Sequence, residues 1–326
     1  MRVLSYHGVV DRLEQVNYFS SLFTDITNFE EQVALLARRA RTVSLAEFGA
    51  SLADGRPLPE DAVHVSIDDG FRNNLRAAEI LDRHGIPWSL FVIVDAVLDG
   101  YRPWFVRMAD AIHATTNVML RDGSVFEMSG RGAKRRFARM AKARIMSSPD
   151  ANQDRAVDAF LALRGMVCPP ETSWPFLETA ELRELHTAGV EIGNHSRSHR
   201  NLVRCPDADL EAEVVAGKVR LEDVLGGPIR HFAYPDGRND RRVRRLVGAH
   251  HVFGLATWSL RPSRLALRRY EPLDTNELAA ILETPEPWYG IRWARWTVPA
   301  RVREAAHRLP LTGGGMLPQE ERMLRP

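Results

Sequence analysis

Short apolar runs alternate with amphipathic segments twice along this chain, over residues 1–100 and again from Thr179 to about residue 257. Val3–Tyr6 reads as a first strand. A helix capped at Asn28 follows, with Phe29, Val33, Leu36 and Ala37 at the 3.6-residue period. Ser44 and Glu47 make a capping-box pattern for a second helix that ends near Gly55. Ala62–Ile67 is a strand, and a helix over about Asn73–His84 closes at Gly85, a C′ glycine. Trp88–Val94 (WSLFVIV) is almost wholly apolar, as a strand buried on both faces must be. After Thr179 a helix runs to Ala188 and ends at Gly189. The strand Val190–Gly193, a helix over about Ala208–Leu225, the strand His231–Ala233 and a strand near Val252–Thr257 complete the series. Such alternation allows a mostly parallel sheet with helices outside it. With about seven units, a closed or nearly closed (β/α) barrel is the expected architecture.

The rhythm lapses over about residues 100–175, which reads as an insertion. Trp104–His113 has a helical pattern. Val118–Leu120 and Val125–Met128 flank an Arg-Asp-Gly-Ser turn and predict a hairpin. Gly132–Met146 is a basic amphipathic helix carrying Lys134, Arg135, Arg136, Arg139, Lys142 and Arg144. Its charges fit either a solvated face or contact with an anionic partner. Residues 284–326 form a separate extension rich in Trp and Arg, with Trp288, Tyr289, Trp293 and Trp296. That segment is either a tail docked on the barrel or an interfacial membrane anchor, and its end is expected to be disordered.

A net charge of +2 gives no global case for a nucleic-acid partner. The basic residues are almost all arginine, with only three lysines, which points to coding bias rather than function. Cys168 and Cys205 lie in no CxxC motif and are expected to be free thiols. In MRVLSYHGVV, Tyr6 and His7 interrupt the apolar run that a secretory signal requires. A cytoplasmic protein is therefore expected.

Two short stretches carry chemistry. In HVSIDDG, Asp68 and Asp69 stand side by side at the end of a strand, where adjacent carboxylates repel unless a cation is held between them. In NHSRSH, His195 and His199 follow another strand at i, i+4 spacing, which on one helical turn would aim both imidazoles at a single metal ion. In a parallel barrel both strand ends open on one face, where sites assemble. Two histidines and one carboxylate leave positions open for water and substrate, which is a catalytic arrangement. The second carboxylate is then free to act as a base.

These motifs resemble the polysaccharide deacetylase family (carbohydrate esterase family 4). SIDDG (66–70) is similar to its first motif and HSRSH (195–199) to its second. FAYPDG (232–237) is similar, more loosely, to its third. LSYHGV (4–9) and LALRRYEPLD (265–274) resemble a branch that begins with a Tyr-His strand. The resemblance spans about residues 1–283 and implies a distorted (β/α) barrel of the deacetylase type. It further implies metal-dependent removal of an N-acetyl group from an amino sugar, oligosaccharide or glycolipid precursor. Carried over residue by residue, Asp69, His195 and His199 would bind one divalent metal ion, usually zinc, and Asp68 would be the general base. The backbone N–H of Asp236 would stabilise the oxyanion. The family's usual late histidine is replaced by Arg268, so His7 is the expected acid, with His250 and His251 as fallbacks. Ala233 stands where the family often has an arginine holding the catalytic aspartate, and Arg269 is the candidate replacement. Trp104 and Trp174 are candidates for stacking on sugar rings.

Two other readings remain open at this point. The same scaffold could hydrolyse a non-sugar amide, such as a cyclic imide or formamide. A degenerate carbohydrate-binding protein would keep the fold without turnover, but it would need no spare base beside a metal.

Overall fold

The computed structural model describes residues 1–13, 23–54, 58–119, 124–257 and 263–284. The expected Trp/Arg-rich extension and the Arg-Asp-Gly part of the hairpin turn lie outside these residues. Met1–Pro103 and Ser173–Ala279 form one compact unit, and Trp104–Thr172 belongs to a second.

Seven strands of the first unit close into a barrel. They are β1 (Arg2–Tyr6), β2 (Ala62–Asp69), β3 (Trp88–Val92), β4 (Glu191–Asn194), β5 (His231–Ala233), β6 (Phe253–Ala256) and β7 (Leu267–Tyr270). The order round the ring is β1-β7-β6-β5-β4-β3-β2, and β2 returns to β1. Every neighbouring pair is parallel. A two-residue strand, Arg41–Thr42, also pairs with the start of β2. The expected barrel is therefore present.

Side-chain alternation separates its interior from its coat. Val3, Phe91, Ala233, Phe253 and Leu255 pack together, although β1, β3 and β5 are not neighbours in the sheet, so this cluster fills the barrel. Leu45 joins it from the helix Leu45–Ala53, whose first amides (Leu45 and Ala46) donate to the Glu191 carboxylate at the start of β4. On β5 the residues flanking Ala233, Phe232 and Tyr234, face outward. They meet Leu202, Leu210, Val214, Val243 and Val247 from the surrounding helices. Gly193 gives Phe91 its place, because a Cβ there would lie 2.3 Å from the Phe91 ring.

Several boundaries differ from the sequence reading. The first helix spans Ile26–Arg39 and is capped not by Asn28 but by Asp25, whose carboxylate accepts from the Thr27 and Asn28 amides. The Ser44–Glu47 capping box is present. Strand β7 has no apolar signature, since an arginine, Arg269, shares its inward side with Leu267. The helices Gln153–Ala162 and Arg241–His250 were also not expected; their caps are Asn152 and Asp240. In the second unit, Asn117–Met119 and Val125–Glu127 pair antiparallel, and Arg131–Met146 is the basic helix. Among the described residues, no helix is long and apolar enough to cross a membrane.

Candidate metal and catalytic site

The carboxyl ends of β1, β2, β4, β5 and β7 bring the chemistry-bearing residues together. Both aspartates belong to β2 and are 1% exposed. Strand alternation aims them apart, and Asp69 turns further by adopting a left-handed backbone (φ 75°) ahead of Gly70. Asp68 Oδ1 accepts from Arg269 Nη1 at 2.7 Å. Asp69 Oδ1 instead faces His195 Nε2 at 3.4 Å and His199 Nε2 at 3.6 Å.

The two histidines do not share a helical turn. They sit on a loop after β4 in which Ser196 and His199 take left-handed φ values of 64° and 59°. Helical i, i+4 geometry was therefore the wrong reason for their proximity; the loop's strained backbone folds both rings toward Asp69. The cost of such conformations, about 1–3 kcal/mol each, is characteristic of functional sites. Asp69, Ser196, His199 and Asp236 are the four non-glycine residues with positive φ among those described, and all four lie in the site segments.

The donor set suits a divalent metal. One ligand atom from each of Asp69, His195 and His199 lies within 4.8 Å of the others. Both Asp69 oxygens are buried and accept no hydrogen bond. His195 Nδ1 lies 2.8 Å from the Ala233 carbonyl, which can only accept, so Nδ1 carries the proton and Nε2 offers its lone pair to the cluster. Burial alone would raise both carboxyl pKa values. Arg269, His195 and His7 outweigh it at Asp68 and hold that group at about 2, while the neighbouring histidines, His7 included, hold Asp69 below its ordinary value.

His7 follows β1 at the same barrel face. Asn74 Nδ2 donates to its carbonyl at 2.5 Å. Asp236 lies in the short turn Pro235–Gly237 after β5, with φ 52°. The fallbacks His250 and His251 fail on position: they precede β6 and so lie at the opposite end of the barrel, where His251 is buried against Phe232. Trp174 packs edge-on against Phe23, and Trp104 against Phe105. Both indoles are buried, so neither presents a free face to a sugar. The sequence reading missed Glu213, a buried carboxylate bound to the histidine loop. Its only sequence signal is an acid on the inward side of a helix.

The site is thus a buried Asp-His-His cluster beside a second carboxylate, at one end of a closed parallel barrel. Residues 148–254 match the family model for polysaccharide deacetylase, which takes in HSRSH and FAYPDG but not SIDDG. No curated protein matches the chain. Three solved structures share its fold. The Streptococcus pyogenes deacetylase PplD, in complex with acetate, is 14% identical with a TM-score of 0.57, over 87% of this chain and 98% of that one. IcaB from Ammonifex degensii is 17% identical with a TM-score of 0.55, over 87% and 97%. BC0361, a polysaccharide deacetylase from Bacillus cereus, is 18% identical with a TM-score of 0.55, over 86% and 68%. Over residues 148–254 the chain is thus similar to the polysaccharide deacetylases, and its barrel shares the fold of these solved structures.

Proposed function

We propose that the protein is a metal-dependent deacetylase that removes an N-acetyl group from an amino sugar, an oligosaccharide or a glycolipid precursor. The observation that carries this reading is the pairing of unlike carboxylates at one strand end. Asp69 has buried, unsatisfied oxygens among two imidazoles, while Asp68 is held ionised by Arg269.

Asp69, His195 and His199 would hold the ion, with zinc the best match to a nitrogen-rich set. When bound, such an ion polarises the amide carbonyl and acidifies a water. Asp68 stands ready to take the proton of the attacking water, since its carboxylate is ionised and held by Arg269. The Asp236 N–H, in its turn after β5, donates to the developing oxyanion. An amide nitrogen cannot depart as an anion, so His7 delivers a proton to it. His7 is suited to this because it follows β1 at the barrel end where both carboxylates lie and is only partly buried.

The test is acetate release from a panel of N-acetylated sugars, nucleotide sugars, oligosaccharides and glycolipids, with the protein as purified, after chelation, and after zinc is restored. Release that disappears with chelator and returns with zinc is expected. A metal-loaded protein that releases no acetate from any of them, yet cleaves a cyclic imide or formamide, would overturn the substrate assignment.

A further inference from the structure

We propose that Glu213 is the positioning residue of the metal centre: one buried carboxylate on a π-helical segment fixes the loop that carries His195 and His199. The proposal rests on the reading of those histidines as ligands.

The helix Asp207–Glu211 continues through a π-helical stretch, Ala212–Ala216, into the helix Gly217–Leu225. A π turn shifts the hydrogen-bond register by one residue and so releases carbonyls to partners outside the helix. Here the partners are residues of the ligand loop. Arg197 N donates to the Glu213 carbonyl at 3.0 Å, and Asn194 Nδ2 donates to the Val214 carbonyl at 2.9 Å. The Glu213 side chain adds a second set of contacts. Its Oε2 accepts from Ser198 N at 2.9 Å and its Oε1 from the Ser198 hydroxyl. Ser196 Oγ accepts from His199 N at 2.9 Å.

Arg197 and Ser198, two of the three residues between the histidines, are thereby bonded to Glu213. The opposite side of the loop is held by the amides of Val94 and Asp95, which donate to the Ser196 and Arg197 carbonyls at 3.2 and 2.9 Å. Glu213 is 4% exposed. A buried carboxylate is costly unless fully hydrogen-bonded, and here the bonds it receives come chiefly from this loop. Two left-handed residues flank the held stretch, so without these bonds the loop has ready routes to relax and separate its imidazoles.

The experiment compares wild type with Glu213→Ala, Glu213→Gln and Ser198→Ala. Hydrogen exchange at the Arg197 and Ser198 amides is read in metal-free protein. Zinc affinity is read by competition with a chelator, and the thermal midpoint alongside. Glu213→Ala should lose amide protection and bind zinc about 10–100-fold more weakly, the range for residues that orient metal ligands. Glu213→Gln, which keeps one acceptor oxygen, should recover most of that affinity, and Ser198→Ala should show a loss of several-fold without a change of fold. A lower thermal midpoint with unchanged zinc affinity and unchanged loop protection would overturn the proposal and leave Glu213 a general core residue. If wild type itself binds no zinc, the metal assignment falls. Amide exchange in Glu213→Gln and Ser198→Ala then decides the positioning role by itself.

Discussion

Arg269 on β7 reaches across the edge of β1 to donate to Asp68 on β2 at 2.7 Å, and both side chains are 2% exposed. The three strands are consecutive in the barrel wall, so the pair is a product of barrel closure. It puts a guanidinium where the turn after β5 offers none, and it keeps one of two adjacent carboxylates ionised.

Removing the guanidinium should therefore do more than destabilise. Arg269→Met leaves a buried carboxylate without its cation, which costs about 3–5 kcal/mol. The Asp68 pKa then rises from about 2, because burial is no longer opposed by Arg269. A base works only when deprotonated, so the acid limb of kcat/KM should move to higher pH. Urea unfolding and a pH–rate profile check both effects; a stability loss with an unmoved acid limb would refute the electrostatic role.

Asp68→Asn separates base from ligand. Activity should fall by about 10²–10⁴-fold, the usual contribution of a positioned base. Zinc stoichiometry and the thermal midpoint should stay near wild type, since Asp69, His195 and His199 remain. Metal analysis of the purified variant together with its acetate release gives the answer.

Gly193→Ala should be destabilised by about 1–3 kcal/mol through overpacking, because its methyl group would overlap the Phe91 ring inside the barrel. Phe91→Leu in the same chain should restore part of the loss. Denaturant midpoints of the single and double variants measure the coupling.

Acid should weaken the fold before the site carboxylates titrate. Burial lowers His64 to about 4, and His231 and His251 to about 3, from an ordinary value of 6.5. The unfolded chain takes up these protons as pH falls below 6.5, while the folded protein does not until about 3–4. Their stabilisation is thus complete above 6.5 and drains away toward 4, by about 1.4 kcal/mol per pH unit for each histidine. Thermal midpoints of metal-free protein between pH 8 and 5 should decline, and His251→Leu should flatten the slope. An equal slope in the variant would show that His251 carries none of it.

The sequence by itself determined the alternation of strands and helices, and with it a parallel barrel whose loops at one end carry the chemistry. Those signals are local: apolar runs, caps and glycines act within a few residues. SIDDG and HSRSH marked the two aspartates and two histidines for the same reason. Strand β7 escaped notice because Leu267 and Arg269 share its inward side and leave no apolar run; Arg269 itself was singled out only through the family resemblance, since its aspartate lies 201 residues away. The histidine spacing was legible but its geometry was not: left-handed φ at Ser196 and His199 is imposed by bonds to Glu213, Val94 and Asp95, none of which neighbours the loop in sequence. Tertiary structure alone decided these matters, because a buried charge and a strained loop are stable only through partners that folding brings from distant parts of the chain.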